Sequence, residues 1–157
     1  MDPVTDSVRV AERVRELGFG VWFPTQAPWL PELEQRFKRK LPPLYRSLLL
    51  HFRFVSCEVG GVELFGNRGL DDPDDITVAP FSDRILSQWL IDRAYIHFGR
   101  PSTGSYDPVC FDYSGEVRGS EPKIVSLDHE DILLQRKKVQ KRTVADSFGA
   151  LLGVRGA

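Results

Sequence analysis

The chain has 157 residues, of which 41% are hydrophobic and 27% are charged, and its formal net charge is −1. This length and composition predict one globular domain over residues 1–157 and exclude a disordered protein. The small net charge argues against general nucleic-acid binding, which normally requires a basic excess. No apolar run reaches the ~18 residues of a membrane span. The charged N-terminus does not resemble a signal peptide, so we expect a cytoplasmic protein.

Three helices are predicted in the first third of the chain. The first covers about residues 4–17, where apolar side chains recur at helical spacing before two glycines. Residues 19–31 are rich in aromatics and proline and are expected to form an irregular strap over the core. Pro31 suits the first turn of the second helix. Pro43 then starts a third helix, which ends near His51.

Two adjacent glycines, Gly60 and Gly61, lie between two alternating runs and predict a β-hairpin with a two-residue turn. Such a turn fixes the register, so that Glu58 lies opposite Glu63 on one face and apolar residues share the other. Like charges in a direct cross-strand pair are unfavourable. Solvent can also screen such a pair at little cost, and the sequence leaves both interpretations open.

An acidic loop and a short helix follow the hairpin. Four aspartates surround Pro73, namely Asp71, Asp72, Asp74 and Asp75. Their spacing lacks the glycine and the terminal glutamate of an EF-hand, so a solvated loop is the simpler interpretation. The helix is expected to have Ser82 as its N-cap and to turn Ile85, Leu86 and Trp89 inward.

The segment 94–113 is predicted to form the centre of the sheet. Its apolar residues alternate up to Gly99, which is expected to end one strand, and alternate again from Val109 to Tyr113. Glycine, proline and serine between the two runs indicate a loop. This pattern predicts two neighbouring strands with one face of each in the core.

The C-terminal third is predicted to hold one more strand, residues 124–127, and a closing helix that starts near Thr143. His129 lies among three acids in the segment 128–131. No second histidine or cysteine stands at ligand spacing, so a turn whose side chains bind nearby backbone is favoured over a metal site. The basic run 136–142 is interpreted as a solvated linker.

The cysteines and histidines of the chain do not match a known catalytic pattern. Cys57 and Cys110 are interpreted as free, buried thiols, because two cysteines are too few for a disulfide framework or a zinc knuckle. Together with the histidines they would be the raw material of a thiol–imidazole site. Both cysteines fall inside predicted strands, and the sequence contains no nucleophile elbow, phosphate loop or metal motif. We therefore predict no catalytic residue, metal or cofactor.

Six segments of the chain, in the same order, resemble the SUKH superfamily. They are LPPLYRSLLLHF at 41–52, GVELFG at 61–66, YIHFGR at 95–100, YDPVCFD at 106–112, EPKIVSLDHE at 121–130 and VADSFGALL at 144–152. The resemblance covers the chain from about Trp22 onward, and the first predicted helix lies largely outside it. It implies an α+β fold in which helices pack around a mostly antiparallel sheet.

The resemblance also implies a function. Bacterial members of the superfamily bind and neutralise a toxin, often a nuclease, and fungal members are regulatory interaction modules of cell-wall synthesis. We therefore expect a non-enzymatic immunity protein with a protein toxin as its partner, and a regulatory or scaffold module as the alternative. The superfamily shares no catalytic set. Its recurring residues here look structural, and Asp112 and His129 are candidates for a buried polar pair that fixes the sheet.

Acidic residues form the candidate partner-binding surface. An acidic patch on an inhibitor can imitate the phosphates that a cationic nuclease attracts, and it accelerates the encounter. The hairpin and the loop after it supply six carboxylates for this patch: Glu58, Glu63, Asp71, Asp72, Asp74 and Asp75.

Overall fold

A computed structural model describes residues 8–9, 12–13, 15–16, 21–22, 27–69, 72–115, 117 and 121–153. The strands in this part of the chain are β1 Val21–Trp22, β2 Arg53–Phe54, β3 Cys57–Val59, β4 Val62–Leu64, β5 Tyr95–Pro101, β6 Val109–Asp112, β7 Lys123–Leu127 and β8 Lys141–Ala145. The helices are α1 Trp29–Phe37, α2 Pro43–His51, α3 Arg84–Asp92, α4 His129–Leu133 and α5 Phe148–Leu152, and a 3-10 turn covers Ala79–Phe81.

Six of the strands form one antiparallel sheet in the order β3-β4-β5-β6-β7-β8, and β1 pairs with β2 separately. The protein therefore has the predicted α+β architecture with an antiparallel sheet. The predicted hairpin register is also confirmed, with Glu58 opposite Glu63. Gly60 and Gly61 both have positive φ, as a tight two-residue hairpin turn requires.

Helices α1, α2 and α5 cover one face of the sheet, here called the inner face, and bury the larger core. Its centre is a cluster of aromatic rings from four elements: Tyr45, Phe98, Phe111 and Phe148. Phe98 and Phe111 stack with their ring centroids 4.0 Å apart. Tyr45 and Phe148 meet edge to face at 5.3 Å, which is the favourable geometry for a quadrupolar ring pair.

Helices α3 and α4 cover part of the opposite, outer face with a smaller core. Leu90 of α3 and Ile132 of α4 pack there against the outward residues of β5, β6 and β7. The central strands are therefore buried on both faces, which explains why residues 95–99 are all buried although their side chains alternate in direction.

Strand β5 contains a bulge that redirects its second half. His97 pairs with Cys110 and Gly99 pairs with Val109, so β5 has one residue more than β6 at this point. The extra residue reverses the alternation and places Arg100 on the outer face beside His97. The prediction that Gly99 ends the strand is wrong, since β5 continues to Pro101.

The close approach of β4 explains the glycine at position 99. A Cβ there would lie 2.7 Å from the Glu63 carbonyl oxygen. Gly99 is not among the glycines with positive φ, so the backbone conformation does not require a glycine at this position.

Four further expectations about the helices and strands are wrong. Lys141–Ala145 is a strand, neither linker nor helix, and the closing helix starts at Phe148 with Ser147 as its cap. Because β8 is an edge strand, its first three residues are exposed and charged or polar. The sequence therefore lacks the alternation of apolar residues that would predict a strand there. Asp83, not Ser82, caps α3, and Ile85 is 60% exposed while Leu90 is buried.

The N-terminal predictions are only partly covered. Residues 8–9, 12–13 and 15–16 are helical, as expected for the helix predicted over residues 4–17, but its ends lie outside the described residues. In the predicted strap, Val21–Trp22 is a strand and Trp29 begins α1, while residues 23–26 lie outside the described residues. Among the described helices, none has the length and apolar character needed to cross a membrane.

Candidate functional site

A cleft of about 570 Å³ opens at the margin of the outer face. It lies where α3, the 3-10 turn, β5 and α4 meet. Its walls are mainly apolar and are formed by Phe65, Pro73, Val78, Ala79, Leu86 and Leu133. Its polar lining groups are Asp74, Ser82, Asp83, His97, Arg100 and His129, and the Tyr106 ring lies beside them. A concave, largely apolar site with a few convergent polar groups is the usual form of a ligand pocket.

His97 lies deepest among the polar groups, with 8% of its surface exposed. Neither ring nitrogen makes a hydrogen bond of normal geometry to the described residues, although the Gly99 backbone lies close enough to act on the ring. The ring contacts Phe65 edge to face at 5.1 Å between centroids. Burial lowers the pKa of His97 to about 4, the Gly99 backbone partly opposes this shift, and the Arg100 charge reinforces it. At neutral pH the imidazole in the wall of the cleft is therefore uncharged, and both of its ring nitrogens are buried.

Arg100 forms an ion pair within the cleft. One of its terminal nitrogens lies 2.5 Å from Asp74 Oδ1, and its guanidinium sits 5.2 Å from the centre of the Phe65 ring. Its Nε is buried and has no partner among the described residues. The bulge in β5 is what brings Arg100 to this side, and the carboxylate of Asp74 balances its charge.

A second pair joins His129, which lines the cleft, to Asp107, which lies outside its lining. His129 Nδ1 lies 2.6 Å from Asp107 Oδ1, and the His129 backbone N–H donates to the same oxygen at 3.0 Å. Partial burial raises the pKa of Asp107, but the hydrogen bonds from His129 outweigh it and leave that pKa below its usual value. Tyr106, which is 74% exposed, presents its ring edge-on to the His129 ring at 6.1 Å.

The predicted pair between Asp112 and His129 does not form. His129 pairs with Asp107, and Asp112 accepts hydrogen bonds from Lys141 Nζ at 3.0 Å and from Ser114. Both residues do have structural partners, but different ones. The sequence does not reveal this choice, because it depends on which loops the sheet brings together.

The structure places the six predicted acidic residues in different environments. Glu58 is exposed, and Glu63 is half-buried between Glu58 on β3 and Arg100 on β5. Asp74 lines the cleft in its ion pair with Arg100.

The other three acidic residues belong to the loop after the hairpin. Half-buried Asp72 accepts a hydrogen bond from the Asp74 backbone. Asp75 is only 1% exposed and accepts hydrogen bonds from Gly69 and Thr77, so it holds the loop from inside. Asp71 lies outside the described residues.

Both thiols are free and buried, as predicted. Burial raises the pKa of Cys57 to about 11, and burial followed by the charge of Asp112 raises the pKa of Cys110 well above its usual value. Cys110 is the cross-strand neighbour of His97, but the imidazole makes no hydrogen bond to it. Protonated thiols are poor nucleophiles. The described residues contain no group of three or more histidine, cysteine or acidic side chains that could hold a metal ion.

The sequence profile of the SMI1 / KNR4 family (SUKH-1) matches residues 28–153. The chain belongs to this family. The match runs from just before α1 to Gly153, which caps α5, and thus includes the whole six-stranded sheet and the helices on both of its faces. No curated protein matches the chain.

The resemblance to the SUKH superfamily was visible in the sequence, but the cleft was not. Its lining comes from segments as far apart as Phe65 and Leu133. One local signal was available, because His97 interrupts the apolar run 95–98. A polar residue inside an otherwise buried strand marks a position that a later contact must satisfy.

Proposed function

We propose that this protein is an immunity-type binding protein that blocks a protein toxin by covering it and catalyses no reaction. The observation that carries the proposal is the SUKH-1 match over residues 28–153. The resemblance to the SUKH superfamily implies this role, because bacterial members of the superfamily neutralise toxins, often nucleases, by binding them. The buried, protonated thiols are consistent with a function that needs no nucleophile.

The toxin-binding surface that we propose is the acidic edge of the outer face. Glu58 lies exposed opposite Glu63, and the Asp72 loop adjoins the same side of the sheet through the contact of Asp74 with Arg100. Two glutamates in a direct cross-strand pair repel each other. A cationic partner would relieve that repulsion and would be steered to the site by the same field.

Charge reversal tests this surface. The cognate toxin is first captured from the source strain with the tagged protein and identified by mass spectrometry. Replacement of both Glu58 and Asp72 by lysine is expected to lower the affinity about tenfold or more at low salt and to flatten its salt dependence. Glu32→Lys is the matched control, because Glu32 is exposed on α1 and α1 packs on the inner face.

Two results would contradict the proposal at different levels. Unchanged affinity and salt dependence in the double variant would reject the acidic surface while leaving toxin binding intact. Capture of regulatory proteins of the cell envelope in place of a toxin would favour the scaffold function that the fungal relatives imply. A toxin gene next to the gene for this chain would favour immunity.

A further inference from the structure

Exposed apolar side chains concentrate around the cleft. Tyr106 and Leu133, which are 74% and 37% exposed, both line it. Ile85 precedes the lining residue Leu86, Leu134 follows Leu133, and these two neighbours are 60% and 62% exposed. The four are most of the five large hydrophobic residues that the described part of the chain exposes. An exposed apolar patch with a polar rim is typical of an interaction site.

The lining of the cleft has a negative charge. Asp74 and Asp83 contribute two carboxylates, whereas Arg100 contributes one guanidinium and is paired with Asp74. Asp83 is exposed and makes no ion pair with the described residues. Its Oδ1 accepts the Leu86 backbone N–H at 3.0 Å as the N-cap of α3, and the helix dipole offsets only about half a unit charge there. A negative charge therefore remains at Asp83.

The neighbouring cations do not balance this charge. His129 lies 2.6 Å from Asp107, so a proton on its ring is matched by a carboxylate just outside the lining. Arg84 follows Asp83 in the chain but lines a separate groove between α3 and α4. An anion in the cleft would thus find no unpaired cation among the described residues that line it, whereas a cation would find Asp83.

The walls favour an occupant with an apolar stem behind its charge. The deepest polar atoms, the ring nitrogens of His97 and Nε of Arg100, are buried in the wall and cannot be reached from the cleft. Leu86 and Leu133 offer apolar surface, and the exposed Asp83 offers charge beside water. Lysine and arginine match this order, because their stems cover apolar surface while their charged heads stay hydrated.

We infer that the cleft receives a basic side chain of the partner protein, a lysine or an arginine, whose stem lies against Leu86 and Leu133 and whose charge lies beside Asp83. The exposed ring of Tyr106 can support the same cation through its face. The assignment to a partner protein rests on the proposed function, in which the toxin surface is cationic. The cleft adjoins the acidic surface proposed above, since Asp74 lines it and donates its backbone N–H to Asp72.

Three amides probe the cleft: N-acetyl-lysinamide, N-acetyl-argininamide and N-acetyl-norleucinamide. Norleucine has the apolar stem of lysine without the ammonium group. Each is titrated into the full 15N-labelled chain at low salt, and the amide signals of Asp83 and Leu86 are followed. At least one basic amide is expected to bind about twofold to fivefold more tightly than the norleucine amide, and added salt should reduce this preference. No preference for either basic amide, or no binding of either, would overturn the inference.

The charge of the cleft is tested with Asp83→Asn. Asparagine is as good an N-cap as aspartate, so the variant keeps the start of α3 and removes only the charge. It is expected to abolish the preference for the basic amides, and a preserved preference would contradict the role of Asp83. Asp92→Asn is the matched control, because Asp92 is exposed on the same helix and lines the separate groove. It should leave the preference unchanged.

The apolar wall is tested with Leu133→Ser. This variant should weaken all three amides by about twofold to threefold, because each loses the same stem contact. Leu134→Ser is the matched control, since Leu134 is exposed on the same segment but does not line the cleft. Unchanged affinities in Leu133→Ser would place the amides outside the cleft and would overturn the inference.

The captured partner separates this inference from the proposed function. If no toxin is captured but the basic amides bind as described, the immunity function fails and the chemistry of the cleft stands. If a toxin is captured and binds Asp83→Asn and Leu133→Ser with unchanged affinity, the immunity function stands and the assignment of the cleft to the partner's side chain fails. Support for both requires that each of these two variants loses about fivefold or more in toxin affinity while the two controls do not.

Discussion

The two faces of strand β5 differ in their surroundings, because one face packs in the large core and the other lines a cleft. On the inner face, Ile96 and Phe98 belong to the large core, and Phe98 contacts three aromatic rings. On the outer face, His97 and Arg100 line an open cleft, and Arg100 forms an ion pair with Asp74 there. The same strand therefore stabilises the fold with the apolar side chains of one face and places polar side chains in the cleft wall with the other.

The bulge after His97 makes this division possible. Strict alternation would place Arg100 on the inner face with Ile96 and Phe98, where its charge would be buried in an aromatic core. The extra residue at Phe98–Gly99 moves Arg100 outward instead. Aromatic packing and ion pairing thus coexist within seven residues of β5 because one backbone irregularity separates them.

Removing an aromatic ring from the inner face should have the largest effect. Phe98→Ala deletes a fully buried ring and leaves a cavity among Tyr45, Phe111 and Phe148. We expect the free energy of unfolding, measured by urea denaturation, to fall by about 3–5 kcal/mol. Ile85→Ala on α3 is the outer-face comparison, and because Ile85 is largely exposed, we expect a change within about 0.5 kcal/mol. Equal losses in the two variants would refute the division of roles.

Acidification should lower the free energy of unfolding through His97 on the outer face. The pKa of His97 falls from 6.5 to about 4 on folding because the ring is buried. Between these values the unfolded chain binds a proton that the folded protein does not, so stability decreases as the pH falls from about 6.5 to about 4. The expected loss from this residue is about 3 kcal/mol at the lower end.

Urea denaturation at several pH values compares the parent with His97→Phe. The variant has no titrating ring at this position and should lose less stability over the same interval by about that amount. The carboxylates with lowered pKa, Asp107, Asp112 and Asp131, protonate in the folded protein only below their usual range, so they act mainly at lower pH. If the parent and the variant lose the same free energy of unfolding over this pH interval, the prediction is contradicted, because folding would then leave the pKa of His97 unchanged.

Local sequence chemistry accounts for the parts of the fold that were predicted correctly. The register of the β3–β4 hairpin follows from Gly60 and Gly61, since a two-residue turn permits only one pairing. The strand β6 follows from alternating apolar residues, and α2 starts where Pro43 fits the first turn. In each case, neighbouring residues determine the conformation.

The features that were missed depend on contacts between distant segments. Strand β8 pairs only with β7 and is exposed at the sheet edge, so its residues carry no apolar pattern. Asp112 pairs with Lys141, the first residue of β8, and His129 pairs with Asp107 in the loop before β6. The cleft exists only after α3 and α4 have packed on the sheet, and its position cannot be read from any one of its segments.

The bulge itself gives the last and smallest of the three effects. Gly99→Ala places a methyl group 2.7 Å from the Glu63 carbonyl oxygen and 3.0 Å from a Val62 methyl, and both belong to the neighbouring strand β4. Because backbone atoms cannot turn aside as a flexible side chain does, we expect a loss of about 1–3 kcal/mol in the free energy of unfolding.

Gly115→Ala is the matched control, since an added methyl there meets no described atom within 4 Å. We expect it to change the free energy of unfolding by less than about 0.5 kcal/mol. Unchanged stability of Gly99→Ala would show that the close approach of β4 does not require a glycine at this position.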